Sequence, residues 1–131
     1  MPYYFAYASN LDKNQMKERC PESKPLYKAA LPNYKLIFAD WSRQLRGGKA
    51  TIILFKGERV LGAVYEVTDQ CMNRLDKYET AYSRIKVNVF DEDGESVEAI
   101  TYIKSGQPQV AKPSQEYLSI IQQGYKDWGI I

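Results

Sequence analysis

Apolar and polar positions alternate in six stretches of the chain and recur at helical spacing in three others. PYYFAY (residues 2–7) is aromatic and extended, which predicts a buried strand ending at Ala8. Ser9 or Asn10 then caps a short helix, LDKNQMKERC, which stops before Pro21 because the residue ahead of a proline disfavours the helical region. NYKLIFAD (33–40) and KATIILF (49–55) read as strands on either side of a polar loop, WSRQLRGG. ERVLGAVYEV (58–67) is a further strand, with Gly57 turning the chain ahead of it. Thr68 or Asp69 caps the helix QCMNRLDKYE, in which Met72, Leu75 and Tyr78/Glu79 share one face. SRIKVNVF and SVEAITYI alternate as two strands joined by DEDGE, whose Asp93-Gly94 step is a hairpin signal. The last helix, PSQEYLSIIQQGY, has Ser114 at its N-cap, Gly124 at its end, and Tyr117, Leu118 and Ile121 on a buried face.

Strands outnumber helices in this order, and repeats, low-complexity tracts and linkers are absent. The expected fold class is α+β: a closed or nearly closed, barrel-like sheet of about six strands with a few helices at its rim. A length of 131 residues suits one domain, 1–131, with one continuous core.

Composition narrows the functional classes. The net charge is only +2, with no long basic run, so no phosphate-neutralising face for nucleic acid is expected. No apolar run approaches the ~20 residues that span a bilayer, and no charged-then-apolar leader is visible, which points to a cytoplasmic protein without membrane contact. Cys20 and Cys71 are isolated from one another, and reduced, half-buried thiols are expected. The chain has no histidine. That excludes Ser-His-Asp and Cys-His nucleophilic systems and His-based zinc sites, leaving acid–base chemistry to Asp, Glu, Lys, Tyr or Cys.

Two local patterns carry no chemistry. RGGKAT (46–51) lacks the first glycine of a phosphate loop and is followed by a strand, so it reads as a turn between strands. DEDGE (91–95) lacks the glutamate that would close a calcium loop, Tyr102 standing there instead. YETAYSR (78–84) is different. Glu79 falls at a helix C-terminus, where the macrodipole opposes a negative charge. By itself this reads as a solvated helix end.

YFAYASNL (4–11), GKATI (48–52), LGAVYEV with LDKYE (61–67, 75–79), and PSQEYLSII followed by GY (113–125) together resemble the gamma-glutamylcyclotransferase family. That family usually opens on YFAYGSNL, carries its catalytic glutamate after a Leu-Asp-x-x run, and has Pro-Ser-x-x-Tyr on its last helix. The resemblance spans nearly the whole chain in order. It implies a mixed barrel-like sheet and an enzyme that converts a gamma-glutamyl amine or peptide to 5-oxoproline and a free amine. It assigns Glu79 as the catalytic acid/base. Tyr4, Phe5, Ala6, Tyr7, Ala8 and Ser9 match the substrate-binding loop, Tyr117 matches a tyrosine lining the site, and Tyr82 falls near a further one.

The implied reaction needs no cofactor and no metal. The substrate's alpha-amine attacks its own gamma-carbonyl, so much of the entropic barrier is already removed. One tuned carboxylate suffices to take the ammonium proton and return it to the leaving nitrogen. After the strand, unpaired N–H groups at the turn suit a carboxylate or a developing oxyanion. Ala8 departs from the family's glycine and is expected to be tolerated at an ordinary φ. The alternative is a non-catalytic, small-molecule-binding member of the fold. A third reading, an interaction module using exposed Tyr125 and Trp128, rests only on their C-terminal position. The leaving amine, for which loops such as 41–48 matter, and the oligomeric state are left open.

Overall fold

The computed structural model describes residues 2–130. β1 (Tyr3–Ala6) explains the aromatic opening, because it is buried on both of its faces. Phe5 joins a cluster with Leu31, Ile52, Val64, Val87 and Val89, while Tyr4 and Ala6 join a second one with Leu11, Met16, Tyr65 and Leu75. Alternation along the strand sends successive side chains to opposite sides of the sheet. The first cluster fills the barrel. The second lies between the barrel wall and the helices.

β2 (Lys24–Ser42) and β3 (Gly47–Glu66) form a long antiparallel hairpin, and β4 (Tyr82–Phe90) and β5 (Ser96–Lys104) form a shorter one. β1 pairs antiparallel with β3 from Tyr3↔Glu66 to Ala6↔Ala63, and parallel with β5 at Tyr4↔Ile100. β2 meets β4 at Ala30↔Phe90, closing the ring in the order β1-β3-β2-β4-β5. The expected α+β class and the mixed, mainly antiparallel barrel are therefore present.

The strand count is five rather than about six. KATIILF and ERVLGAVYEV lie in the single strand β3, with Gly57 at φ 90° between them. β2 passes from Pro32, opposite Arg59, to Tyr34, opposite Leu54, so four residues of β3 bulge against Asn33. β2 also begins at Lys24, well before the expected run at 33, its start, KPLYKAALP, holding two prolines and no clean alternation. The DEDGE turn matches expectation. Asp91 Oδ1 accepts from the N–H groups of Asp93 and Glu95, and Gly94 takes φ 81°.

Helix ends are set by local chemistry. A 3-10 helix (Ala8–Leu11) follows β1, and Asp12, not Ser9 or Asn10, caps α1 (Lys13–Arg19) by accepting from Asn14 and Gln15. Thr68 caps α2 (Asp69–Tyr78), and Ser114 caps α3 (Gln115–Asp127). Tyr117 and Ile121 of α3 enter the barrel cluster. Gly124 does not end α3. It is the point of closest approach to the 3-10 helix, where a Cβ would lie 2.5 Å from Leu11 Cβ and 2.6 Å from Asp12 N.

Two further expectations are overturned. Cys20 and Cys71 form a disulfide, both fully buried, that ties the end of α1 to the first turn of α2. Spacing in the sequence hid this, because the contact arises only when both helices pack on one barrel wall. Disulfides persist chiefly in oxidising surroundings, and the expectation of reduced thiols rested on a cytoplasmic location. Trp128 and Tyr125 are half-buried rather than exposed. Trp128 stacks edge-on against Tyr65 at 5.5 Å and donates to the Leu11 carbonyl at 2.9 Å. These aromatics pack α3 against the core clusters. Among the described residues, no helix is long and apolar enough to cross a membrane.

Candidate active site

A cleft of about 130 Å³ opens at one end of the barrel. The 3-10 turn, α1, the β2–β3 turn, the end of α2 and α3 all contribute to its walls. Glu79, Tyr4, Tyr7, Ala8, Ser9, Tyr82 and Tyr117 line it, so positions far apart in sequence meet here. Phe5 and Ala6, also expected in the substrate loop, do not line it. Both are fully buried, Phe5 in the barrel and Ala6 beneath the helices, and Thr101 donates to the Phe5 carbonyl at 2.8 Å. Their part is to anchor the strand behind the loop.

Glu79 is the C-cap of α2, yet it is not a solvated helix end: its side chain is only 17% exposed. Burial raises its pKa above the ordinary carboxylate value, and the nearby Arg19 and Lys49 charges and the Asn10 hydrogen bond offset this only in part. Asn10 Nδ2 donates to Glu79 Oε1 at 3.3 Å and to the Tyr4 hydroxyl at 2.8 Å. The Asn10 Oδ1 accepts from Gln15 and, at 3.0 Å, from Arg19, whose guanidinium also lies 3.8 Å from Glu79. The carboxylate is thus oriented from one side by a filled network.

Two tyrosines meet the backbone of one residue, Ala50, with opposite polarity. Tyr82 donates its hydroxyl proton to the Ala50 carbonyl at 2.5 Å, leaving lone pairs as its remaining capacity. Tyr117 accepts from the Ala50 N–H at 3.1 Å, leaving its own proton to give. Tyr82 therefore serves the cleft as an acceptor and Tyr117 as a donor.

Ala8 has φ 61°, so the expected ordinary φ is wrong. The chain must reverse from β1 into the 3-10 helix at this residue, and the left-handed region achieves this in one step. The N–H groups of Ala8 and Ser9 open that helix, and no hydrogen bond among the described residues uses either of them. Short of a helix's first hydrogen-bonded donor, such groups are free for an anion.

Sequence reasoning missed Asn10, Arg19, Lys49 and Gln15 as cleft residues. Asn10 and Lys49 sit inside the YFAYASNL and GKATI motifs, where the local pattern gives only a helix cap and a strand position. Arg19 and Gln15 lie on α1 with no local signal. Ser42, Gln44 and Leu45 come from the 41–48 loop already linked to recognition.

A family model described as gamma-glutamyl cyclotransferase, AIG2-like, matches residues 4–128. The chain belongs to that family. Human gamma-glutamylcyclotransferase is 32% identical over 135 residues, covering 97% of this chain and 71% of the human protein. The protein of the same name from Bos taurus is 31% identical with the same coverage. A solved structure named gamma-glutamyl cyclotransferase superposes with a TM-score of 0.93 at 31% identity, over 98% of this chain and 80% of that one. In this member of the cyclotransferase family the loop after β1, Glu79 and Tyr117 all line the one cleft.

Proposed function

We propose that the chain is a gamma-glutamyl cyclotransferase that releases 5-oxoproline, and that Glu79 is its acid/base. The observation that carries this reading is a largely buried carboxylate of raised proton affinity in a cleft with two unused backbone N–H groups. A free alpha-amine has a pKa of about 7.7–8.0, so it arrives mainly as an ammonium. Ionised Glu79 takes one proton from it. The freed amine nitrogen attacks the gamma-carbonyl carbon, and the oxyanion that forms is held by the N–H groups of Ala8 and Ser9. Collapse breaks the bond to the leaving nitrogen, which takes the proton back from Glu79, and the emptied carboxylate then relays the ring nitrogen's second proton to the departing amine, which leaves as an ammonium. The products are 5-oxoproline and a free amine, and Glu79 returns as a carboxylate.

Family membership and the relatives' names support this assignment. The test is a coupled assay for 5-oxoproline across a panel of gamma-glutamyl compounds, with Glu79→Gln as the control. Gln keeps the Asn10 contact but cannot accept a proton, so turnover should fall at least ~100-fold, the usual share of a general base. Binding should be largely retained. Turnover within tenfold of the native chain would remove Glu79 from the role.

The non-catalytic reading draws on one observation. The Ala8 methyl group lines the cleft at positive φ, next to the unused donors.

A further inference from the structure

Asn10, with Arg19 and Gln15 behind it, orients the Glu79 carboxylate, and a different set of contacts holds the backbone that carries it. Glu79 follows the last turn of α2 at φ −106° and ψ 48°, outside the helical region. Its N–H donates to the Leu75 carbonyl at 2.9 Å, and its own carbonyl accepts from the Tyr82 N–H at 3.0 Å. Glu79 therefore stands wherever the end of α2 stands relative to the barrel.

Asp76, three residues before Glu79, joins that end to the sheet. Arg84 Nε donates to Asp76 Oδ1 at 2.9 Å and Arg84 Nη2 to Asp76 Oδ2 at 2.6 Å, a two-bond fork that fixes direction as well as distance. The Tyr102 hydroxyl donates to Asp76 Oδ1 at 2.6 Å. Arg84 and Tyr102 are directly opposed in the β4–β5 register, so their side chains leave the same face of the hairpin and converge on one carboxylate. Arg84 also reaches Asn73 Oδ1, one turn earlier on the same face of α2, at 3.3 Å. Tyr102 carries the link on to the facing wall of the cleft, because its carbonyl accepts from the Tyr7 hydroxyl at 2.5 Å. Tyr7 immediately precedes Ala8, so the segment bearing Glu79 and the loop bearing the unused N–H groups are both tied to one strand position.

These contacts contribute more to geometry than to folding. The Arg84 and Asp76 side chains are 37% and 44% exposed, and ion pairs open to water add little to stability. A proton shuttle is sensitive to place instead, since a shift of about 1 Å can cost ~100-fold in rate.

Resting on the proposed reaction, we infer that Asp76 is a positioning residue for Glu79: by clamping the end of α2 to Arg84 and Tyr102, it sets where the Glu79 carboxylate stands relative to the N–H groups of Ala8 and Ser9.

The experiment compares 5-oxoproline release by the full native chain, Asp76→Ala, Arg84→Gln and Glu79→Gln, using a gamma-glutamyl compound that the native chain turns over. Asp76→Ala should lower kcat about 10- to 100-fold with KM within about twofold, because the loop holds the substrate. Its melt should lie within about 5 °C of the native one, since the Tyr102 hydroxyl can turn to the Met72 carbonyl, 3.4 Å away. Added to Glu79→Gln, Asp76→Ala should cost less than about twofold more, because a positioning residue has no effect once the group it positions is gone. Arg84→Gln removes the fork and leaves the Tyr102 contact. It should give a smaller loss of kcat at the same KM, and it takes the place of Asp76→Ala throughout if that variant does not fold. An unchanged kcat, a loss confined to KM, or losses that multiply in the double variant overturns the inference and leaves the packing of Leu75 to place Glu79. If the native chain yields no 5-oxoproline from any compound of the panel, the proposed reaction fails instead, and amide hydrogen exchange decides the inference. Asp76→Ala should then speed exchange at Glu79 and Tyr82 at least ~10-fold while Met72, bonded to the Thr68 carbonyl, is unmoved. Exchange unchanged at Glu79 and Tyr82, or raised equally at all three, overturns it.

Discussion

An alanine at φ 61° places its Cβ close to the following carbonyl oxygen, at a cost of about 1–2 kcal/mol. Ala8→Gly relieves that cost but gives the unfolded chain about 0.4–1 kcal/mol more conformational freedom to lose. The net outcome should be a gain of up to about 1.5 kcal/mol, read as a Tm higher by up to ~5 °C in a thermal melt. If the chain is active, kcat/KM should change less than tenfold, because the turn already presents its donors. A glycine variant that gains 5-oxoproline formation from a silent parent would favour the binding reading. Tyr117 gives a second residue-scale prediction. Its hydroxyl is the partner of the buried Ala50 N–H, so Tyr117→Phe leaves that donor unpaired at a cost of about 1–3 kcal/mol, besides removing a donor from the cleft. Both a lower denaturation midpoint and a raised KM are expected. A stability change without a KM change would leave Tyr117 a packing residue.

The elements meet at the site because two helices are tied together behind it. Arg19 is the last residue of α1 and Cys20 follows it, while Cys71 lies in the first turn of α2, whose far end carries Glu79. The disulfide closes a separation of 51 residues, for which chain entropy gives about 4 kcal/mol of stabilisation. Cys20→Ala/Cys71→Ala should therefore melt well below the native chain, and dithiothreitol should lower the native Tm towards that of the variant. An unchanged melt after complete reduction would mean that packing against Met16, Met72 and Leu75 holds the pair of helices without the bond. Gly124 does the corresponding work on the other side, letting α3 approach the 3-10 turn closely enough for Tyr117 to reach Ala50.

The pH response belongs to the whole molecule, since burial of Glu79 requires barrel, turn and helices at once. Its folded pKa is raised, so the native state binds the proton more tightly than the unfolded chain does. That contribution to stability is fully present below the unfolded glutamate pKa and is lost as pH rises through the folded value. Asp76 has the opposite sign. Held by Arg84 and Tyr102, its pKa is lowered, and its contribution is present above the unfolded pKa and lost as pH falls through the folded one. Glu79→Gln should accordingly melt higher than the native chain at neutral pH, with the gap closing in acid. With Glu79 as the proposed base, the acid limb of kcat/KM should fall at a pH above the ordinary carboxylate pKa, because a base must be ionised to act. A limb at the ordinary value would show that Glu79 is not desolvated when the enzyme works.

Periodicity and turn chemistry alone determined much of this protein. Alternation at 83–90 and 96–103 specified a hairpin, Asp93-Gly94 its turn, Thr68 or Asp69 one helix start and Ser114 another, because each is settled within a few residues. Motif order along the chain pointed to Glu79, Tyr82, Tyr117 and the loop after β1, all of which but Phe5 and Ala6 reach one cleft. Tertiary structure decided what depends on contacts distant in sequence. The bulge at Asn33 merged two runs into β3, since a bulge shows only when both strands are paired. The disulfide needed two helices on one wall, and the left-handed Ala8 needed the direction in which the 3-10 turn leaves β1. The raised proton affinity of Glu79 depends on what surrounds its side chain in space, and the spacing of residues along the chain does not encode that.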